Sequence, residues 1–211
     1  THVMSHLACA DTANHVLNYK QLNTFNSFVK DKNFLSASLA NSAGIFIKDD
    51  YHLDIVRPGI ALYGFNLGNT PKDFFELPLK LTAPIIQVRT LKKGETVGYG
   101  ANYKATEAKK IATVALGYAD GFYRSTNNSN IPHAYKPNIA GYETPIIGNI
   151  SMDLIGIDVT NVPEHLCNPG QSVTMLSNQF DINEITKSAQ TIPYEMLTRL
   201  SSRIKKTYIT D

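Results

Sequence analysis

Between residues 15 and 29 the apolar positions return at helical spacing, with Tyr19, Leu22, Phe25 and Val29 on one stripe, and the pattern predicts an amphipathic helix. Asp11, Thr12, Ala13 and Asn14 precede it and include side chains suited to cap a helix N-terminus. Two strand-like runs flank the helix. One covers residues 3–8; the other covers residues 34–40, where Leu35, Ala37 and Leu39 alternate with Ser36 and Ser38. A third run, residues 53–56, leads into Arg57-Pro58-Gly59-Ile60 and then Ala61-Leu62-Tyr63-Gly64. Strand, helix, strand, short helical piece and strand make a βαβ rhythm, which predicts parallel strands. Parallel strands need both faces covered and their edges paired. Residues 1–65 are therefore expected to be the end of an α/β barrel or open sheet whose start is absent. The strand-like opening without an initiator methionine points the same way.

Residues 66–76, with Asn66, Gly68, Asn69, Thr70, Pro71 and Lys72, read as a linker, and the periodicity changes after it. Runs at residues 81–90, 110–116, 142–147, 154–160 and 172–176 predict short strands separated by turn residues, the rhythm of an all-β barrel or sandwich. Residues 182–189 and 194–204 are helical in pattern. Arg199, Arg203, Lys205 and Lys206 gather at the last of these, where cations complement the helix dipole. The expected organisation is α/β plus all-β, with a barrel portion and linker over residues 1–70 and a mainly antiparallel β domain over residues 71–211.

Composition narrows the function classes. The chain has 211 residues, 43% of them hydrophobic and 18% charged, as expected of a globular protein with a sizeable core. A formal net charge of +2 gives no reason to expect nucleic acid or an anionic membrane as partner. No apolar run approaches the ~20 residues that span a bilayer. The two cysteines, Cys9 and Cys167, lie far apart and suggest no disulfide framework, so a reduced, cytoplasmic setting is expected. The six histidines are scattered and no Cys/His group has zinc spacing, so no metal site is expected.

Several short strings are poorly explained by packing alone. Val97-Gly98-Tyr99-Gly100-Ala101-Asn102-Tyr103 follows the turn-like Lys92-Lys93-Gly94-Glu95 and clamps a tyrosine between glycines, which permit a sharp bend and close approach. Taken alone it is either a β-bulge whose tyrosine caps a hydrophobic edge or a phenol presented to a pocket. Asn41-Ser42-Ala43-Gly44 lies where a predicted strand gives way to a turn. It offers amides and side-chain donors to a phosphate, and equally fits an ordinary Asx or Ser turn. Arg57-Pro58-Gly59-Ile60 holds the same place after the next run. The amides of Gly59 and Ile60 could meet the same anion, and Arg57 adds a planar cationic fork unless it forms only a surface ion pair. In α/β barrels phosphates commonly sit after the last two strands, so the two strings strengthen each other. His6 alone is a core or loop histidine; beside an anion pocket it becomes a wall for a flat ring. Asp11 and Thr12 are as readily caps as site residues. In Gly117-Tyr118-Ala119-Asp120-Gly121 the Asp-Gly pair suits a tight turn. In Ile150-Ser151-Met152-Asp153 the aspartate shares a face with Ile155, Ile157 and Val159 and needs a partner if buried. Thr191-Ile192-Pro193-Tyr194-Glu195 is a normal helix start, with Tyr194 in the first turn.

Taken in series, these strings resemble the C-terminal part of bacterial alanine racemase. The resemblance rests on Met4-Ser5-His6, Ser38-Leu39-Ala40-Asn41-Ser42-Ala43, Val56-Arg57-Pro58-Gly59-Ile60-Ala61-Leu62-Tyr63-Gly64 and Val97-Gly98-Tyr99-Gly100, then Gly117-Tyr118-Ala119-Asp120-Gly121, Ser151-Met152-Asp153 and Thr191-Ile192-Pro193-Tyr194-Glu195. It implies the incomplete end of a (β/α)8 barrel that binds pyridoxal 5'-phosphate, followed by a C-terminal β domain, in a head-to-tail homodimer with sites shared between subunits. By this resemblance Asn41, Ser42, Gly59, Ile60 and Tyr194 would hold the cofactor phosphate, His6 would line its ring, and Arg57 would face the pyridine nitrogen. An arginine stays protonated at ordinary pH, so it would keep that nitrogen unprotonated and weaken the ring as an electron sink. Tyr99 would be the catalytic base for one face of the α-carbon in the neighbouring subunit's site; a phenol titrates near ~10 in water and needs a nearby cation to act so. Met152 would contact substrate through its backbone, and Tyr118, Arg124, Asp11 and Ile192 would line the entrance.

The expected activity is interconversion of L- and D-alanine, supplying D-alanine for peptidoglycan in a bacterial cytoplasm. Two departures stand out. Asn149 occupies a position that is often arginine in the family, which alters the charge of the corridor. The Schiff-base lysine, the substrate-binding arginine and the modified lysine that supports it have no matching motif in this chain, so the chain alone is expected to be inactive. The alternatives are another or broader amino-acid racemase on the same scaffold, or a non-catalytic half that pairs with a separate N-terminal barrel chain.

Overall fold

The computed structural model describes residues 1–68, 70, 71, 74–127 and 135–209; the linker residues Asn69 and Lys72 lie outside that set. The chain divides into two compact units, Thr1–Pro78 and Leu79–Asp211.

In the first unit, β1 (His2–Met4) leads through α1 (Val16–Val29) to β2 (Ser36–Ser38). The strands pair in parallel, with His2, Val3 and Met4 opposite Ser36, Ala37 and Ser38. The helix buries Leu22 and Phe25 as its periodicity predicts. Tyr19 is 66% exposed instead, and buried Asn18 takes its place. The Asn18 side-chain amide donates to the carbonyls of Cys9, Thr12 and Ala13, which commits residues 9–13 to a turn. Capping therefore falls to His15, whose Nδ1 accepts from the Leu17 amide, rather than to residues 11–14. Leu7, Leu22, Phe25, Ala37, Leu39 and Tyr51 form the core of this unit.

The expected third strand at residues 53–56 is not one. Leu53 takes φ +50°, which breaks the extended run. What survives is a parallel bridge between Asn41 and Arg57, with the Arg57 amide donating to the Ala40 carbonyl at 2.9 Å. That bridge sets the ends of the two anion-suited strings side by side.

The second unit is built on β3 (Leu81–Leu91), after which come a small hairpin of β4 (Thr96–Val97) and β5 (Tyr103–Lys104), then β6 (Lys109–Val114). β7 (Asn138–Ile139), β8 (Tyr142–Glu143), β9 (Ile146–Ile147), β10 (Ile155–Asp158) and β11 (Ser172–Leu176) follow, then α2 (Gln179–Ala189) and α3 (Pro193–Arg199). The seven-stranded sheet runs β8-β7-β11-β3-β6-β10-β9, and its pairings are antiparallel. The long β3 pairs β11 through Leu81–Pro84 and β6 through Ile85–Leu91, with a register shift between Ile85 and Gln87. A bulge at such a changeover bends the strand and curls the sheet. Ile85, Val114, Ile155, Ile157, Val173, Met175, Ile182 and Ile185 are buried.

Two expectations fail for local reasons. Residues 142–147 divide into β8 and β9, which pair with different neighbours, because Pro145 between them lacks an amide for the ladder. The last helix stops at Arg199 instead of running to residue 204; Leu200 turns extended and the Ser201 amide donates to the Asp120 carbonyl. Among the described residues no helix is long and apolar enough to cross a membrane, and no group of His, Cys, Asp and Glu is placed to hold a metal.

Candidate functional site

In the first unit the strand ends converge on Arg57. Its Nη1 donates to Ser38 Oγ at 2.6 Å, and its Nη2 donates to the Ser5 carbonyl at 2.7 Å and lies 3.4 Å from His6 Nδ1. On the other side of the imidazole, Asn41 Nδ2 lies 3.2 Å from His6 Nε2, while Asn41 Oδ1 accepts from the Gly44 amide at 2.9 Å. The guanidinium is thus held by neutral acceptors, and among the described residues no carboxylate pairs with it. A cation kept without an acid retains its charge for another group.

Beside it, Ser42 is 2% exposed, and its Oγ accepts from the amides of Gly59 (2.7 Å) and Ala61 (3.3 Å). Among the described residues, a side chain built at Gly59 would meet only Ser42 Oγ, at an ordinary 3.7 Å. Protein atoms therefore leave the space above this turn open. His6, Asn41, Ser42, Arg57, Gly59 and Ile60, far apart in sequence, are brought together. Donor-rich, free of acid and bounded by an imidazole, the cluster suits a flat ring with an anionic arm. Asp11 is exposed in the turn before α1 and makes no hydrogen bond to this cluster among the described residues.

In the second unit Tyr99 sits at the tip of the β4–β5 hairpin, not in a ladder bulge. Gly98 and Gly100 both take φ +76° and Ala101 takes φ +50°, so the chain reverses around the tyrosine and leaves its side chain 78% exposed. Asn149 Nδ2 donates to the Tyr99 carbonyl at 2.8 Å. The Asn149 segment packs so closely that a side chain at Gly98 would stand 3.1 Å from the Asn149 amide nitrogen.

Tyr118 and Met152 are brought together by backbone pairing: the Tyr118 amide donates to the Ser151 carbonyl at 3.1 Å and the Ala119 amide to the Met152 carbonyl at 2.9 Å. Gly117 is required there, since a side chain would fall 2.2 Å from the Met152 oxygen. Asp120 does more than make a turn. Its Oδ2 accepts from the Gly117 amide at 2.9 Å and its Oδ1 lies 3.4 Å from Arg203 Nε, while Arg203 Nη2 donates to Asp153 Oδ1 at 2.7 Å. Asp153 is exposed and so does not require a partner, yet Arg203 pairs with it rather than serving as a helix-end cation, and the Asp153 hydrogen bond together with the Asp120 charge raises the Arg203 guanidinium above its ordinary value. Arg124 opens a short turn, Arg124–Asn127, that is tied to α2 where Ser188 Oγ donates to the carbonyls of Ser125 (3.0 Å) and Thr126 (2.7 Å). Ile192 and Tyr194 flank Pro193 at the start of α3, both partly exposed.

Ser38 is not among the residues singled out for chemistry in the sequence, although the alternation with Ala37 and Leu39 sets it on the other face of the run; Asn149 is marked there only as a change of charge in the corridor, not as a partner of Tyr99.

The family model described as alanine racemase, N-terminal domain, matches residues 1–67, and that described as alanine racemase, C-terminal domain, matches residues 78–208. The alanine racemase of Rhodospirillum rubrum is 41% identical over 206 residues, covering 98% of this chain and 54% of the relative; that of Rhizobium meliloti is 38% identical, covering 98% and 56%. The chain spans about half the length of the curated relatives it matches. Among solved structures, alanine racemase from Bartonella henselae, with covalently bound pyridoxal phosphate, matches at a TM-score of 0.86 and 33% identity over 99% of this chain and 56% of that one. The biosynthetic alanine racemase of Pseudomonas aeruginosa matches at 0.84 and 32% over 99% and 57%. The chain, matched along nearly its whole length, belongs to the alanine racemase family.

Proposed function

We propose that this chain is part of an enzyme that interconverts L- and D-alanine with pyridoxal 5'-phosphate, using one base on each face of the α-carbon. The observation that carries the reading is the acid-free Arg57, held against His6 and Ser38 beside the open turn at Ser42 and Gly59. Bound there, pyridoxal phosphate supplies an electron sink that makes the α-hydrogen removable. Ser42, Asn41, Gly59, Ile60 and Tyr194 would hold its phosphate, the Gly59 amide turning from the Ser42 Oγ that it meets here, and His6 would line the ring. Arg57 would face the pyridine nitrogen; an arginine stays protonated at ordinary pH, so that nitrogen would carry no proton. The pyridoxal phosphate covalently bound in the Bartonella relative supports the identity of the cofactor.

Tyr99 moves the proton on one face, in the site of a neighbouring copy of the chain within a homodimer. The exposure of its phenol and the glycines that turn the hairpin tip outward support that role. Met152 meets the substrate through its backbone, and Tyr118, Arg124, Asp11 and Ile192 line the approach. The second base is the Schiff-base lysine, for which this chain has no matching motif. By that reading the 211 residues alone are inactive. The product D-alanine serves peptidoglycan synthesis in the cytoplasm.

The test is Tyr99→Phe in the full-length enzyme in deuterated water. The variant should still exchange the α-hydrogen of one enantiomer, through the other base, and should lose racemisation by at least about a hundredfold, the lower end of what a positioned acid–base group contributes. Undiminished racemisation would refute the role of Tyr99.

A further inference from the structure

We propose that Asn149 is a positioning residue for Tyr99, setting the phenol for proton transfer through a hydrogen bond to the tyrosine's own carbonyl. This rests on the reading of Tyr99 as a base. Within its own chain the Tyr99 side chain is largely exposed, so packing against its own unit does not fix it. The backbone around it is not a regular element either, since Gly98, Gly100 and Ala101 all lie at positive φ and the tip's internal hydrogen bond is Ala101 N–H to the Gly98 carbonyl at 3.2 Å. Among the described residues, the bond from Asn149 Nδ2 to the Tyr99 carbonyl, at 2.8 Å, is the one hydrogen bond that the tip receives from outside the hairpin.

The donor itself stands on firm ground. Residues 148 and 149 lie flat against the hairpin's base, with the Gly148 Cβ position 2.7 Å from the Val97 carbonyl oxygen and the Gly98 Cβ position 3.1 Å from the Asn149 amide nitrogen. Asn127 Nδ2 donates to the Gly148 carbonyl at 2.8 Å, tying this segment to the Arg124–Asn127 turn. A chain of contacts thus runs from α2 through that turn and Gly148 to Asn149, and ends on the backbone of Tyr99. A carbonyl only accepts, so residue 149 must present an N–H on a short side chain, and the amide of asparagine does so without adding charge beside the phenol.

The two substitutions that remove this donor at nearly constant shape are Asn149→Leu and Asn149→Asp, the second also setting an acceptor against the carbonyl. In the full-length, cofactor-loaded enzyme each should lower kcat roughly tenfold, well within what a displacement of about 1 Å costs a positioned group. KM for alanine and the visible absorbance of the bound cofactor should not change. The deciding measurement pairs each with Tyr99→Phe, following α-hydrogen exchange in deuterated water. In the Tyr99→Phe background, Asn149→Leu should leave the residual one-enantiomer exchange unchanged, because the residue it positions has already lost its function. Wild-type kcat in Asn149→Leu, with Tyr99→Phe crippled, overturns the positioning role and leaves the base assignment standing. A further loss of exchange in the double variant also overturns it, by showing a general structural effect. Full racemisation by Tyr99→Phe removes both readings.

Discussion

Replacing Gly117 by alanine should be among the most damaging single-methyl additions to the second unit. Gly117 has φ −154°, an extended conformation open to any residue, so the substitution carries no backbone penalty of its own. The cost is steric. The added Cβ falls 2.2 Å from the Met152 carbonyl oxygen, 2.4 Å from its carbon and 2.5 Å from the Asp153 nitrogen. All three are backbone atoms, so no side chain can rotate away and the 151–153 segment must retreat by about 1 Å to reach ordinary contact distances. That retreat strains the two bonds that hold the loops together, Tyr118 N–H to the Ser151 carbonyl and Ala119 N–H to the Met152 carbonyl. Overpacking of this kind costs ~1–3 kcal/mol, and two weakened hydrogen bonds cost ~0.5–1.5 kcal/mol each. The expected destabilisation is about 2–6 kcal/mol. Gly141→Ala provides the contrast: its Cβ meets nothing within 4 Å, but its φ is +91°, a purely conformational cost of ~1–2 kcal/mol. Urea unfolding of the full-length protein, followed by far-ultraviolet circular dichroism, compares the two. If Gly117→Ala proved milder than Gly141→Ala, the close approach of the Tyr118 and Met152 loops would be wrong. A folded Gly117→Ala enzyme should also show a raised KM for alanine, because Tyr118 and the Met152 carbonyl are displaced together.

Gly59→Ala places a methyl in the open space beside Ser42. It should leave unfolding within about 0.5 kcal/mol of wild type while weakening pyridoxal phosphate binding at least tenfold in an absorbance titration; unchanged affinity would argue against a phosphate at this turn. The third prediction concerns pH. Burial pushes the Asp158 carboxyl up, but hydrogen bonds from Lys109 (2.7 Å) and Thr160 outweigh it and hold its pKa below the ordinary 3.8. The stability this contributes is present above pH 3.8 and is lost as pH falls through the lower folded value. Lys109 is raised above 10.5 chiefly by the same Asp158 bond, so its share is present below 10.5 and is lost as pH rises through the higher folded value. Asp158→Asn should therefore flatten both limbs of the stability–pH curve measured by thermal unfolding; an unchanged acid limb would show that other carboxylates govern it.

Periodicity along the chain determined what depends on neighbours in sequence. The 3.6-residue repeat of Leu22, Phe25 and Val29 located α1, and the strand-like run at residues 81–90, bounded by turn residues, located β3. Motif spacing likewise marked Asn41-Ser42, Arg57-Pro58-Gly59-Ile60 and Gly98-Tyr99-Gly100 as candidates for chemistry. Partnerships across long loops were decided only by the tertiary structure. Nothing local to Tyr19 says that Asn18 will turn inward to bind the carbonyls of residues 9–13, and nothing local to Leu53 announces its positive φ. A two-residue strand such as β4 carries too short a pattern to recognise. The same holds in the candidate site. Ser42 beneath the amides of Gly59 and Ala61, Arg203 on Asp153, and Asn149 on the Tyr99 carbonyl are hydrogen bonds spanning 17 to 50 positions, and the ion pair of Arg203 with Asp120 spans 83. A side chain's identity states what it can donate or accept; only the closed chain decides which group lies within 3 Å to meet it.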